Sequence, residues 1–273
     1  MKPIKILKIG GNVIDNPILL NKFLTDFTAI KEPKILIHGG GKIATDLANK
    51  LNIPQTLIEG RRITDSKTLD IAVMVYSGLI NKNIVSKLQA LDCNAIGLCG
   101  ADGNLVKSMK RIHETFDYGQ VGDIEEVNVS QFKKIIEHGF TPVLSAITHD
   151  GKGNLLNTNA DTMASKIAIA LSSSYEVDLI YSFEKNGVLL DVNDYNSILN
   201  SISEMDYRRM KEEKIIFEGM VPKLDSAFEA LKYGVKSVKI CNAQNLNANG
   251  TVLVESRFIA TKNDLHQKND LSQ

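Results

Sequence analysis

KPIKILKIGG at residues 2–11 and KILIHGGGKIATDLANKL at residues 34–51 give the same signal twice: a short apolar run that stops on a cluster of glycines. Residues 3–9 read as a strand ending at Gly10 and Gly11, and residues 34–38 as a second strand broken by Gly39, Gly40 and Gly41. After the second cluster Ile43, Leu47 and Leu51 recur at helical spacing. Between the two strands, Asn16 and Pro17 form a cap followed by a proline suited to the first helical turn, with Leu20, Phe23, Leu24 and Phe27 on one face. Strand, helix, strand, helix in this order predicts an α/β protein built on a mostly parallel sheet.

The same alternation extends along the chain. Asp65 or Ser66 caps a third helix whose Leu69, Ala72, Val73 and Tyr76 share a face. IGLCGADGNLV (96–106) reads as a hairpin around Asp102 and Gly103. Ser130 is expected to cap a short helix, PVLSAI (142–147) to be a strand, residues 150–159 a polar loop, and a helix to run from Ala160 to about Leu171. Beyond it come a strand at 177–182, a turn at Asn186 and Gly187, helices near 204–213 and 222–233, and strands at 235–240 and 251–254. Residues 259–273 are polar and aperiodic, which predicts a frayed tail. No internal repeat or low-complexity linker interrupts the chain, so a boundary near residue 172 divides lobes of one body: 1–172 and 173–258.

Composition narrows the partners. With Lys+Arg 32 against Asp+Glu 32, no surplus charge draws the chain to nucleic acid or to an anionic membrane. A small-molecule partner is favoured. Cys93, Cys99 and Cys241 lack CxxC spacing, which argues against a disulfide framework and a zinc site. The lysine-rich start MKPIKILKIGG does not resemble a signal peptide, and no apolar run approaches the roughly 18 residues needed to cross a bilayer, so a cytoplasmic location is expected.

Glycine clusters at strand ends let backbone N–H groups converge on an anion where no Cβ obstructs the approach, and that is how phosphate is held. Lys8 sits at the end of the first strand, just before Gly10 and Gly11. It fits either an edge strand facing solvent or an inward position facing an anion, because a buried ammonium without a partner is costly. Lys223 in EGMVPKL (218–224) follows Pro222, which suits the first helical position. A cation there opposes the helix dipole unless an anion lies nearby. NTNAD (157–161) leads into an apolar helix, so Asn159 or Asp161 can cap it, or Asp161 can orient lysines and a metal-bound nucleotide. Arg62 offers a fork for a carboxylate, and His38 is expected to pack or hydrogen-bond within its turn rather than act as a base. Gly39, Gly41 and Ala44 also satisfy a dinucleotide fingerprint with Glu59 as the ribose acid, so a nicotinamide-dependent oxidoreductase stays open. A non-catalytic amino-acid sensor stays open too. A Walker P-loop is excluded, because Gly41 and Lys42 are followed by Ile43.

KIGGN (8–12), HGGGK (38–42), GRRITD (60–65), GLCGADG (97–103), NTNAD (157–161) and EGMVPKL (218–224) occur in the order and at the separations of the amino acid kinase family. Over about residues 3–256 the chain resembles, within that family, the acetylglutamate kinases. The resemblance implies a three-layer αβα sandwich with an open, mainly parallel central sheet, the carbamate kinase-like fold. It implies an N-terminal lobe for an N-acyl-L-glutamate and for dimerisation, and a C-terminal lobe for ATP. Lys8 and Lys223 would neutralise the migrating phosphoryl group while Asp161 holds both. Gly10, Gly11, Gly39 and Gly40 would donate backbone N–H groups, and Arg62 and Asn157 would bind the acyl amino acid. Ser182, Glu184 and Gly187 would join the lysines at the nucleotide, with Mg2+ carried by ATP rather than by protein ligands.

Two departures from the family pattern stand out. Phe183 and Glu184 occupy positions where Thr and Asp are usual, and Arg61 is an extra cation beside Arg62. Arg61 is expected at the surface; if it instead enters the pocket, an N-succinyl substrate would be preferred to N-acetylglutamate. The implied reaction is attack by the γ-carboxylate on the γ-phosphorus of ATP, giving an acyl phosphate for arginine biosynthesis. Arginine-inhibited hexameric relatives carry a helix ahead of the first strand, and this chain begins almost at that strand, so a homodimer without arginine feedback is expected. The helix from about 66 to 91 is the expected interface.

Overall fold

The computed structural model describes residues 1–58, 61–191, 194, 197–216, 220–246 and 250–254, with Arg61 described for its backbone alone. Its frame is an eight-stranded sheet. The strands run in the order Ser201–Ser203, Thr251–Val254, Ser237–Asn242, Tyr175–Phe183, Lys2–Ile9, Lys34–His38, Thr141–Ser145, Ala95–Leu98. All neighbours pair in parallel except Ser237–Asn242 with Thr251–Val254. Parallel strands covered on both faces read as continuous apolar runs, and KILIH at 34–38 is buried throughout. Strand Lys2–Ile9 pairs with Lys34–His38 on one side and Tyr175–Phe183 on the other, so one sheet continues across residue 172.

Two hydrophobic cores lie on opposite faces of this sheet. Ile4, Ile6, Ile35, Ile37, Leu179 and Tyr181 pack on one side with helices Ala160–Leu171 and Val221–Lys232. Leu7, Ile9 and Leu36 pack on the other with Phe23, Leu24 and Phe27 of helix Pro17–Ala29 and Ile84 and Leu88 of helix Asn81–Gln89. Side chains alternate along a strand, so Lys8 continues the Ile4–Ile6 face towards helix Ala160–Leu171. His38 falls on the other face by the same rule. Asn16 caps Pro17–Ala29, its Oδ1 accepting from the N–H groups of Ile18 and Leu19, an arrangement worth about 1 kcal/mol.

A smaller sheet sits over one end of the large one. Its order is Leu155–Asn157, Ile147–His149, Val106–Lys110, Gly122–Val127. It corrects two expectations. Ala95–Leu98 and Val106–Lys110 do not form a hairpin: Gly103 turns the chain at φ 59°, but the two strands enter different sheets. Part of the supposed polar loop at 150–159 is the strand Leu155–Asn157, because Leu156 is buried.

Local chemistry corrects other boundaries. Asn128, not Ser130, caps helix Val129–Glu137, its side chain accepting from Gln131 N. Asp65 caps Ser66–Ala72 by accepting from Thr68 N. Leu51 lies just past helix Gly41–Lys50 and is exposed, while Ala44 and Ala48 supply its buried contacts. Helix Val221–Lys232 begins one residue before Pro222. The tail expected at 259–273 and Glu59 both lie outside the described residues.

Helix Ser66–Ala72 continues through π-helical turns at Val73–Ile80 into Asn81–Gln89. At those wider turns Tyr76 and Ile80 press against the glycine cluster. A Cβ built on Gly40, whose φ is 157°, would stand 2.2 Å from Ile80 Cδ1 and 2.9 Å from Tyr76 Cδ1. A side chain here would force Ile80 or Tyr76 to shift, so the close approach favours glycine at this position.

Candidate active site

Two adjoining clefts open at the C-terminal ends of the central parallel strands, where open α/β sheets bind ligands. The larger has a volume of about 990 Å³ and combines Lys8, Gly10, Gly11 and Lys42 with side chains from 183–223. Its far part is apolar, with Phe183, Val188, Leu190, Ile216 and Met220. The smaller, about 270 Å³, is polar and takes its lining from residues 8–162, among them Gly39, Gly40, Arg62, Asn157 and Asp161. Lys8, Gly11 and Gly41 line both clefts.

Two lysines and one aspartate meet at that junction. Lys8 Nζ lies 2.8 Å from Asp161 Oδ1, and Lys223 Nζ donates to Asp161 Oδ2 at 2.9 Å. Lys8 and Asp161 are buried, and Lys223 is partly exposed. Helix capping explains why the carboxylate is available. Asn159 is the cap of helix Ala160–Leu171, its Oδ1 accepting from Asp161 N and Thr162 N, so the Asp161 side chain is left to the lysines. Burial pushes the Asp161 carboxyl up, but the Lys8 and Lys223 ammonium groups outweigh it and hold the pKa at about 2.

The elements behind these side chains are fastened together. Tyr181 Oη donates to Asp161 O at 3.2 Å from the adjacent strand. Between the helices that carry Asp161 and Lys223, Ser165 Oγ donates to Ser226 O at 2.8 Å and Lys166 Nζ to Glu229 Oε1 at 2.7 Å. The conflict of Lys223 with its own helix dipole is resolved by Asp161, as its first-turn position demanded.

Arg62 lies on a two-stranded ribbon, Leu57–Ile58 with Arg61–Arg62, that folds over the smaller cleft. One guanidinium nitrogen donates to Gly41 O at 2.9 Å and Thr45 Oγ1 at 2.7 Å, and another to Gln55 Oε1. Asn157 Nδ2 donates to Thr64 Oγ1 at 3.1 Å. His38 is fully buried, its Nδ1 2.9 Å from Gly39 O and its Nε2 3.0 Å from Asn81 Nδ2. Burial lowers its pKa to about 4, which matches a packing role and not that of a base.

Of the other residues singled out from the sequence, Gly10, Glu184 and Gly187 line the larger cleft. Asn12 Nδ2 donates to Glu184 Oε1 at 3.0 Å, which ties the turn after Tyr175–Phe183 to the first glycine turn. Ser182 is placed differently from these three. Tyr181 and Phe183 point to the helix Ala160–Leu171 side, so strand alternation turns Ser182 to the opposite face. It is buried, lines neither cleft, and contributes its carbonyl, which accepts from Gly10 N at 2.8 Å. The side chain of Arg61 lies outside the described residues.

Sequence reasoning missed Tyr76, Arg111 and Asp123, which line the smaller cleft. Arg111 Nε donates to both Asp123 oxygens at 3.1 and 3.0 Å. Both residues flank a long turn between Val106–Lys110 and Gly122–Val127, and no local motif marks them. Tyr76 had a signal, its place on an apolar helix face, but that signal reports core packing. Among the described residues, no group of three or more His, Cys, Asp or Glu could hold a metal ion, and no helix is long and apolar enough to cross a membrane.

The profile of the amino acid kinase family matches residues 3–242. The chain is 50% identical to the acetylglutamate kinase of Cytophaga hutchinsonii over 257 residues, covering 92% of this chain and 97% of that one. It is 47% identical to the acetylglutamate kinase of Bacteroides fragilis, over 90% of this chain and 94% of that one. In structure it superposes with a TM-score of 0.80 and 19% identity on the N-acetylglutamate synthase from Neisseria gonorrhoeae complexed with coenzyme A and N-acetyl-glutamate, covering 93% of this chain and 60% of that one. The dinucleotide spacing of Gly39, Gly41 and Ala44 is thus the glycine turn of a different family. With matches spanning nine-tenths of its length, the chain belongs to the amino acid kinase family, and within it to the acetylglutamate kinases.

Proposed function

We propose that the chain transfers the γ-phosphoryl group of ATP to the γ-carboxylate of N-acetyl-L-glutamate, forming an acyl phosphate in arginine biosynthesis. The observation that carries this reading is the Lys8–Asp161–Lys223 cluster at the junction of a large, partly apolar cleft and a small polar one. In this reading ATP fills the larger cleft and the acyl amino acid the smaller. The lobes would then be 1–172 for the amino acid and 173–258 for the nucleotide, in keeping with where each lining originates.

The chemical difficulty is the meeting of two anions. At an effective dielectric near 20, like charges about 4 Å apart repel by roughly 4 kcal/mol, close to a thousandfold in rate. Lys8 and Lys223 remove that barrier because Asp161 already holds them in place, so no reorganisation is needed during transfer. Gly11 assists through its backbone. No protein atom lies within 4 Å of where its Cβ would stand, so packing does not demand glycine there, whereas close approach of a phosphate does. Arg62 and Asn157 bind the substrate's α-carboxylate and acyl amide, with Arg62 exchanging an internal acceptor for the carboxylate. Mg2+ would arrive on the ATP phosphates and neutralise part of their charge. Asp161 is not offered as its ligand, since both its oxygens face ammonium groups.

The proposed assembly is a cytoplasmic homodimer joined through the helical stretch 66–89, where Met74 and Leu79 are exposed apolar side chains. A coupled assay of ADP release with glutamate, its N-acetyl and N-succinyl derivatives, aspartate, carbamate and UMP tests the activity. Turnover with the acetyl derivative at the highest kcat/KM is expected. Turnover with carbamate or UMP in its place would overturn the substrate assignment, and higher kcat/KM for the succinyl compound would place Arg61 against a further carboxylate of the substrate.

A further inference from the structure

Lys8, Lys223 and Asp161 together carry a single net positive charge, which is little against a triphosphate and a carboxylate arriving together. The larger cleft holds other lysines. Lys211 is taken up by both oxygens of Asp225, at 2.9 and 3.0 Å, Lys185 has interactions of its own, and Lys214 is next to the apolar Ile215 and Ile216 in the lining. Lys42 is placed differently. It follows Gly41, which, like Lys8 and Gly11, lines both clefts, so it flanks the junction itself.

The surroundings of Lys42 suit a movable cation. It lies in the first turn of helix Gly41–Lys50, where the dipole disfavours positive charge and the Gly40 cap offers no side chain. Its ion-pair partner is Asp15 at the end of the short helix Gly11–Ile14, with Nζ 3.8 Å from Oδ2. That distance is too long for a hydrogen bond, and the lysine side chain is 65% exposed, so the pair holds it weakly. Asp15 Oδ2 is buried and, among the described residues, accepts no hydrogen bond. Burial raises the Asp15 pKa, the Lys42 charge opposes the rise, and Asp46 one turn along the helix adds to it. Asp15 thus holds a nearby cation without satisfying it.

We propose that Lys42 is a third phosphate-binding ammonium of the nucleotide cleft, held near Asp15 until a polyphosphate enters and then transferred to it. This rests on the ATP-dependent reading above. It makes Lys42 a determinant of polyphosphate affinity, distinct from the Lys8–Asp161–Lys223 cluster that faces the migrating group.

Calorimetric titration of the full chain with MgATP, MgADP and adenosine separates the possibilities. For Lys42→Met, affinity for MgATP should fall about tenfold, the size of one charge-assisted phosphate contact, with adenosine affinity unchanged. Lys42→Arg should stay within about twofold of the parent. Asp15→Asn should tighten MgATP binding several-fold, because the competing carboxylate charge is removed. Equal MgATP affinity for Lys42→Met and the parent would overturn the proposal, as would a parallel loss for ATP and adenosine, the mark of a distorted cleft. Weaker MgATP binding by Asp15→Asn would overturn the holding role. A parent protein that binds none of the three ligands would instead defeat the kinase reading on which the proposal rests.

Discussion

Lys8 Nζ stands 2.8 Å from Asp161 Oδ1, joining the end of the first strand to the first turn of a helix that begins far along the chain. Lys223 completes the arrangement on the other oxygen. Each lysine occupies a position that would be unfavourable alone, one buried on a central strand and one at the wrong end of a helix dipole. Asp161 makes both acceptable and leaves them aimed at the junction of the clefts.

Removing either ammonium should therefore stop transfer without unfolding the protein. Lys8→Ala and Lys223→Ala are expected to lower kcat by roughly a thousandfold or more while circular dichroism stays that of the parent. Near-parental kcat in either variant would remove that residue from the mechanism. Asp161 keeps its charge at any pH well above about 2, so its titration should not shape the rate profile between pH 5 and 9.

Arg62 should act on the amino acid and not on the nucleotide, because it lines the smaller cleft alone. Arg62→Lys keeps the charge but loses the planar fork, and KM for N-acetylglutamate should rise about tenfold or more with KM for ATP unchanged. Steady-state kinetics with each substrate varied in turn decides this. A rise confined to ATP would place Arg62 on the wrong ligand.

His38 predicts a pH dependence of stability. The unfolded chain takes up a proton near the ordinary value of 6.5, and the folded chain only near about 4, because burial disfavours the charged ring. Protons therefore favour the unfolded state as pH falls through that window. Stability should drop by an amount on the order of 3 kcal/mol between pH 7 and pH 4 from this group. Urea midpoints across the range should flatten in His38→Gln relative to the parent, and identical slopes would dismiss the effect.

Gly40→Ala tests the packing of the glycine turn on the π-helical turns. A Cβ only 2.2 Å from Ile80 Cδ1 forces Ile80 or the turn to move, at a cost of about 1–3 kcal/mol. Thermal unfolding should show a lower Tm, and affinity for the acyl amino acid should fall with it. An unchanged Tm would mean that Ile80 rotates away freely.

Much of this was legible in one dimension. Strand Lys34–His38, helix Ala160–Leu171 and strand Thr251–Val254 begin and end where periodicity and caps place them, because local propensity and burial agree there. Ser130 lost its capping role to Asn128, and the supposed hairpin at 96–106 separated into two sheets, because in both places partners distant in sequence set the outcome. Ser182 was expected at the nucleotide, yet strand parity turned it to the opposite core.

By itself the sequence determined the alternation of strands and helices, the glycine turns at the strand ends, and the presence of two lysines in otherwise unfavourable places. Tertiary structure alone decided that one aspartate serves both lysines, that Arg111 faces Asp123 in the smaller cleft, and that Lys42 lies beside Asp15. The physical reason is range. Turns, caps and periodicity are fixed by a few neighbouring residues, whereas the cost of a buried charge depends on which distant group the folded chain brings within about 3 Å of it.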